Sequence, residues 1–269
     1  MENLQDIDFL TYSELLEYKN TNTPLVPGLL YRGDGVILAG KAEVGKSLFS
    51  LQLCMALATG KMFLDKYAPI SPLKVCYIPT EGSLGTVKER AVLFGNAYKL
   101  SSQDSNFRIL KFFKYKLNTI KGFDYINKSL DSAEFKPDLI IIDTLYLSCH
   151  GSLIKDDVAT DYCQYLNLLI DKYNCAVILV HHYGKDQHNA FDGRVEREAK
   201  DVLGSSCWAN WATSILRMVK QYNTIKLSVG KDRNNKLFSG DIQLNLIQNE
   251  KYIFYKRVKE EDNANNKSL

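Results

Sequence analysis

A stretch of eight residues in the first fifth of the chain has the residue types and spacing of a phosphate-binding loop. Its glycines, lysine and serine follow the pattern G-x-x-x-x-G-K-[ST], which lets successive backbone N–H groups face a phosphate chain. Lys46 is expected to reach the β and γ phosphates of ATP, and Ser47 to ligate Mg²⁺. The predicted nucleotide-binding residues are Gly40, Lys41, Ala42, Glu43, Val44, Gly45, Lys46, Ser47 and Leu48.

The segments on both sides of this loop predict the strand and the helix that a phosphate-binding loop requires. Residues 36–39 form an apolar run typical of a buried strand, and residues 47–56 have apolar side chains at helical spacing. A chance glycine-rich turn would need neither segment. The context therefore favours phosphate binding over that alternative.

Two carboxylates follow predicted strands further along the chain. Glu81 comes just after the apolar run 75–79, and Asp143 ends the run 139–142. Because the carboxyl ends of strands in an open α/β sheet hold its ligand, Glu81 is a candidate general base; a helix-capping or solvated glutamate is the alternative. An apolar strand that ends in aspartate, downstream of such a loop, predicts a carboxylate in the water shell of the Mg²⁺.

A pair of histidines ends the next predicted strand, which covers residues 176–180. His181 and His182 could bind a metal, could belong to the core, or could contact phosphate. No C-x-x-C pair accompanies the histidines to support a metal site. The polar segment 186–201 that follows has mixed charge, so we predict a mobile linker and not a basic nucleic-acid stripe.

The remaining patterns predict a mostly parallel, twisted α/β sheet flanked by helices, with a C-terminal β-hairpin. Further helices are expected at 84–98, 124–135, 156–172 and around Trp208 and Trp211, further strands at 107–112, 215–219 and 224–229, and the hairpin at 241–246 and 252–255. We expect one domain over residues 1–258, with a lead-in segment over 1–33. Residues 259–269 are predicted to form a polar, disordered tail.

Composition supports an ordinary globular chain of 269 residues. A net charge of +3 neither requires nor excludes nucleic acid. The six cysteines are scattered without a C-x-x-C pair, which predicts small core residues in a reducing compartment. The acidic N-terminus and the lack of an apolar run of about 18 residues predict a cytoplasmic location without membrane contact.

Taken in order, these motifs resemble the RecA-like P-loop ATPases, and among them the RepA-type hexameric helicases of plasmids and phages, the AAA_25 group. The resemblance covers about residues 10–258. It is carried also by the run Val-Pro-Gly-Leu-Leu at 26–30, by His-His-x-Gly-Lys at 181–185 and by Gly-Ser-Ser at 204–206. It implies that Glu81 polarises the attacking water, and that His182 or His181 contacts the γ-phosphate and relays its loss.

The resemblance also implies basic residues that act on a neighbouring subunit. The run Lys-Asp-Arg-Asn at 231–234 looks like the K-x-R-N of DnaB-type helicases, in which the basic pair reaches the next subunit's ATP site. Lys231 and Arg233 are two residues apart after a strand and would leave it on the same side. Two solvated surface charges are the alternative. Arg217 is a second candidate finger by likeness to the RepA-type pattern.

Three functions use such a site. The first is an oligomeric motor, most simply a hexamer, that hydrolyses ATP with Mg²⁺ and moves on single-stranded DNA during replication of a plasmid, phage or mobile element. The second is an ATPase that binds DNA or protein and acts as a switch or loader without unwinding. The third, a small-molecule kinase, would need an arginine-bearing lid and an acceptor pocket that the motifs do not offer.

Overall fold

The computed structural model describes residues 11–17, 22–110, 115–182 and 204–258. The helices are α1 (Tyr12–Glu17), α2 (Lys46–Ala58), α3 (Leu84–Tyr98), α4 (Ile120–Ser132), α5 (Leu145–Ser148), α6 (Asp156–Tyr173) and α7 (Ser206–Trp211). The strands are β1 (Pro24–Val26), β2 (Leu30–Tyr31), β3 (Gly35–Gly40), β4 (Val75–Pro79), β5 (Phe107–Ile109), β6 (Leu139–Asp143), β7 (Ala176–His182), β8 (Ser214–Gln221), β9 (Thr224–Asp232), β10 (Ile242–Gln248) and β11 (Ile253–Arg257).

One large sheet organises the described residues, with the strand order β11-β10-β9-β8-β3-β7-β6-β4-β5. The strands from β8 to β5 in that order run parallel, and β9, β10 and β11 extend the sheet in antiparallel fashion. Strands β3 and β6 are buried along their whole length, as expected for parallel strands covered on both faces. The predicted fold class, with its C-terminal hairpin, is confirmed.

Helices cover the two faces of the sheet and divide the core into two layers. Alternate residues of β3 point to opposite faces, so Val36 and Leu38 pack on the side of α2 and α3. Ile37 and Ala39 pack on the side of α4, α5, α6 and α7. The parallel strands therefore all deliver their carboxyl ends to one edge, between two helical layers.

Local capping explains where several helices begin. Ser83 accepts a hydrogen bond from the Thr86 backbone N–H at the start of α3, and Thr119 does the same for Gly122 at the start of α4. The α4 helix thus begins four residues before the predicted position. The short α5 and the two-stranded β1–β2 sheet are not predicted by the sequence patterns, because elements of two to four residues carry too little periodicity.

The C-terminal hairpin is held against the helix that follows the phosphate-binding loop. The side-chain amide of Gln52 in α2 donates to the Tyr255 carbonyl at 2.9 Å and accepts from the Tyr255 N–H at 2.5 Å. Asn96 in α3 donates to the Lys251 carbonyl at 2.8 Å. These bonds bring strand β11 to the site.

Other predictions have mixed outcomes. Five of the cysteines are buried and Cys207 is partly exposed, in line with a mainly structural role. No helix within the described ranges has the length and apolar character needed to cross a membrane. The predicted linker 186–201 and tail 259–269 lie outside the described residues. The domain boundaries at 33 and 258 stay predictions.

Candidate active site

The phosphate-binding loop lies between β3 and the N-terminus of α2, as its sequence pattern predicts. Gly40 leaves no room for a side chain, because an added Cβ would lie 2.7 Å from the Met218 carbonyl oxygen and 2.8 Å from Val44. Gly45 has φ +95°, which is a left-handed conformation that favours glycine, and a Cβ there would overlap the Tyr255 hydroxyl. No side chain caps α2 at Gly45, so its first backbone N–H groups suit an anion.

Lys46 is the buried cation of this loop. Its Nζ donates to the carbonyl oxygens of Gly40 at 3.0 Å and Lys41 at 2.7 Å, and it lies 3.3 Å from His182 Nδ1. Burial lowers the pKa of Lys46 to about 8, although the carboxylates of Asp143 and Glu81 act in the opposite direction. Burial therefore disfavours the charged form of Lys46, and an anionic partner such as a phosphate would favour it.

Asp143 has the surroundings of a carboxylate that serves a metal's water shell. Its Oδ2 accepts a hydrogen bond from the Tyr77 hydroxyl at 2.6 Å, whereas its buried Oδ1 has no hydrogen-bond partner among the described residues. Burial raises the pKa of Asp143, and the hydroxyls of Tyr77 and Ser47 partly offset this effect. The Asp143 carboxylate lies beside Ser47, and its unpartnered Oδ1 could accept a hydrogen bond from the water shell of a Mg²⁺.

Glu81 lies just beyond the end of β4, with about half of its side chain exposed. Its Oε1 accepts a hydrogen bond from the Thr144 hydroxyl at 3.0 Å and lies 4.0 Å from His182 Nε2. The carboxylate thus stands at the mouth of the site beside Lys46, where it can reach solvent water. Nothing in this geometry resembles a helix cap, since Ser83 caps the next helix.

The two histidines point to opposite faces of the sheet and have different surroundings. His182 lies between Lys46 and Glu81, and burial together with the Lys46 charge lowers its pKa. A neutral ring whose Nδ1 accepts from Lys46 carries its proton on Nε2, the nitrogen nearer to Glu81. His181 is fully buried, with its ring 6.2 Å from that of Trp208. Of the two histidines, His182 therefore lies beside Lys46 and Glu81, and His181 lies in the core.

Within the part of the chain that the structure describes, no three histidine, cysteine, aspartate or glutamate side chains are grouped as a metal site would require. His181 is instead a core residue, which was one of the alternatives.

Lys231 and Arg233 lie at the other end of the sheet from the phosphate-binding loop. The Arg233 N–H bonds to the Thr213 carbonyl and the Thr213 N–H bonds to the Gly35 carbonyl, at the beginning of β3. The five residue steps from Gly35 to Gly40 span about 16 Å along a strand, so neither basic residue can serve its own loop. Lys231 Nζ donates to the Ala209 and Ala212 carbonyls at 2.5 and 2.7 Å.

The Lys231 side chain, on β9, and the Arg233 side chain, just after β9, both reach the C-terminal end of α7. Arg233 Nη2 donates to the Asn210 carbonyl at 2.5 Å. Lys231 is half-buried and its pKa is lowered by burial and by Arg233, whereas Arg233 is exposed. Arg233 is accordingly the more accessible of the pair for a second molecule.

Arg217 occupies the middle of β8 beside the strand that enters the loop. It pairs with Ala39 of β3, and Ala39 pairs on its other side with His181. Arg217 is partly buried on the same face as His181. Arg217 therefore lies next to the phosphate-binding loop of its own chain, whereas Arg233 lies far from that loop.

Four residues of the site are not predicted from sequence: Tyr77, Thr80, Thr144 and Tyr255. Tyr77 lies on a predicted strand, and Thr80 and Thr144 directly follow predicted strands, so the strand pattern places them near the site without a role. Tyr255 donates to the Gly45 carbonyl at 3.4 Å across 210 residues of sequence, and only the docking of the hairpin reveals it.

The fold and this site together define a P-loop ATPase of the RecA-like class. A family model described as an AAA domain (AAA_25) matches residues 4–188, and the chain belongs to this family.

Solved structures share the fold at low sequence identity. The ATPase domain of G40P has a TM-score of 0.64 and 14% identity, over 92% of this chain and 96% of that one. A DnaB-like replicative helicase, solved for its interactions with primase, has a TM-score of 0.62 and 15% identity, over 90% of this chain and 64% of that one. The RadB recombinase has a TM-score of 0.56 and 17% identity, over 87% and 93%. No curated protein matches the sequence.

Proposed function

We propose that the protein is an oligomeric motor that hydrolyses ATP and translocates on single-stranded DNA during replication of a plasmid, phage or mobile element. The observation that carries the proposal is the meeting of Lys46, His182 and Glu81 at the carboxyl edge of the sheet, beside a buried Asp143. This set contains a cation for phosphate, a base for water and a polar group between them.

The chain's own residues divide the work of hydrolysis. Lys46 exchanges its two loop carbonyl partners for phosphate oxygens, and the first N–H groups of α2 hold the phosphate chain. Ser47 and Asp143 would hold Mg²⁺, which supplies neutralisation of the phosphate charge. Glu81 orients a water and takes up its proton as the water attacks.

His182 is suited to report the state of the phosphate. A neutral ring with an Nε2–H can donate to a phosphate oxygen, and its Nδ1 already contacts Lys46. Because His182 ends β7, loss of a phosphate contact would release the end of this strand. In a motor, such a relay would couple hydrolysis to movement.

Charge that develops on the transferring phosphoryl group calls for a further cation, and an arginine supplied by a neighbour contributes about 10³- to 10⁵-fold in related systems. Arg233 is exposed and remote from its own loop, which suits a contact in a hexamer. We expect Arg233→Ala to bind ATP normally and to turn it over poorly.

A mixing experiment tests this assembly. Lys46→Ala protein should be inactive but carries an intact Arg233, so mixing it with Arg233→Ala protein should restore some activity at interfaces that combine an intact loop with an intact arginine. If mixing restores nothing, or if Arg233→Ala is as active as the parent, the contribution in trans is wrong.

Nucleic acid is tested by the rate of phosphate release at fixed salt, with single-stranded DNA, duplex DNA or single-stranded RNA of one length. We expect turnover to rise severalfold with single-stranded DNA alone, and Glu81→Gln protein serves as the blank. Active ATPase without any stimulation would contradict the motor and favour the switch or loader.

A further inference from the structure

Among the described side chains, one donates a hydrogen bond to the carboxylate of the candidate base Glu81. The Thr144 hydroxyl donates to Glu81 Oε1 at 3.0 Å. Glu81 is on a loop after β4 and is half exposed, so without this donor its carboxylate would be free to rotate into solvent. Thr144, by contrast, is only 2% exposed.

Thr144 is itself held by its neighbours on the adjacent strand. Its backbone N–H donates to the Thr80 hydroxyl oxygen at 2.6 Å, and that hydroxyl donates back to the Thr144 carbonyl at 2.9 Å. The Thr80 N–H also bonds to the Asp143 carbonyl. These three bonds continue the β4–β6 ladder by one residue beyond the paired Pro79 and Asp143, which fixes the backbone from which the Thr144 side chain extends.

A second set of hydroxyls supports Thr144 from the helical layer. Ser148 Oγ donates to the carbonyls of Thr144 and Leu145, both at 2.9 Å. Since the single Ser148 proton is used in this way, the Tyr162 hydroxyl is the donor in its 2.6 Å bond to Ser148 Oγ. Ser148 and Tyr162 are fully buried, so this support does not compete with water.

We propose that Thr144 is a positioning residue that holds the Glu81 carboxylate in its working orientation through this buried scaffold. The inference rests on the proposed ATPase function and adds a residue to it. Among the described residues, the Thr144 hydroxyl bonds to Glu81 and not to Lys46, so it acts on the site through Glu81. A displacement of a catalytic group by about 1 Å can cost about 10²-fold in rate, which makes one hydroxyl consequential.

The test uses three variants in steady-state ATPase assays, with nucleotide affinity measured separately by fluorescence titration. Thr144→Val replaces the hydroxyl by a methyl group of similar size, and we expect kcat to fall by about tenfold or more with Kd for ATP unchanged. Thr144→Ser restores the hydroxyl and is expected to recover most of the rate. Thr224→Val, which removes a hydroxyl from the β8–β9 turn, is the matched control and should match the parent.

A double-mutant cycle separates positioning from a general loss of structure. In a Glu81→Gln background no carboxylate remains to be oriented as a base, so adding Thr144→Val should cost less than twofold. A full additional tenfold loss there, or wild-type turnover in Thr144→Val, overturns the inference. Circular dichroism and thermal unfolding identify any variant that fails to fold, and Thr144→Ser then decides: turnover near that of the parent supports the inference, and a tenfold loss contradicts it.

The outcome also distinguishes this inference from the proposed function. If the parent hydrolyses ATP and Glu81→Gln does not, the function stands and the Thr144 variants alone decide. If the parent shows no nucleotide hydrolysis under any condition, the proposed function is wrong and the role of Thr144 is wrong with it.

Discussion

ATP affinity should depend on pH through Lys46, and the structure gives the direction and the size. The Lys46 ammonium is buried, and its pKa is lowered to about 8 mainly by that burial. A phosphate chain beside it favours the charged form and raises its pKa, so ATP binding takes up a proton wherever the free amine is neutral. Affinity is therefore full below about pH 8 and falls as the pH rises above it.

The magnitude follows from the charged fraction. With a pKa of about 8, the ammonium fraction falls from about 0.9 at pH 7 to about 0.1 at pH 9, so Kd should rise about tenfold over this interval. His182 does not contribute there, because its pKa lies below its ordinary value and the ring stays neutral. The Tyr255 hydroxyl, whose pKa is about 12, also keeps its proton.

The assay is a fluorescence titration with an ATP analogue and Mg²⁺ at constant ionic strength from pH 7 to pH 9. Lys46→Arg is the matched control, since guanidinium stays charged throughout and its Kd should be flat with pH. Lys46→Ala should bind weakly and turn over nothing. Calorimetry at pH 8 in two buffers of different ionisation enthalpy should show uptake of about half a proton per ATP.

Two results would refute the reasoning. A parent Kd that does not change between pH 7 and pH 9, with no proton uptake at pH 8, would mean that Lys46 is fully charged before ATP binds. The same slope in the parent and in Lys46→Arg would assign the dependence to another group.

Three further predictions concern chemistry and folding. Glu81→Gln keeps the size of the side chain but removes the base, so it should bind ATP as the parent does and lose about 10²-fold or more in turnover; unchanged turnover would exclude Glu81 as the base. Gly45→Ala places a Cβ at positive φ against the Tyr255 hydroxyl and should lower the free energy of unfolding by about 2 kcal/mol, and Tyr255→Phe in the same chain should recover part of this loss in urea unfolding; a Gly45→Ala protein as stable as the parent would contradict the contact. Lys231→Met removes two hydrogen bonds to the end of α7 and should lower the free energy of unfolding by about 1 to 2 kcal/mol, whereas no loss would show that these bonds contribute nothing net.

The sequence alone determined the local parts of the site. The phosphate-binding loop, the strand that enters it and the helix that leaves it are contiguous, and periodicity with fixed spacing is enough to predict contiguous elements. Glu81 and Asp143 were predicted because each directly follows a run of apolar residues, and parallel strands deliver their ends to a common edge. The same patterns predicted most helices and strands and the overall fold class.

Only the tertiary structure decided which side chains meet. Adjacent strand residues point to opposite faces, so the sequence could not show which of His181 and His182 faces the core until the helices on each face were known. The contact of Tyr255 with Gly45 and the hydroxyl that links Thr144 to Glu81 join residues distant in sequence. No local pattern encodes such contacts, because they depend on how the hairpin docks and on how two strands end side by side.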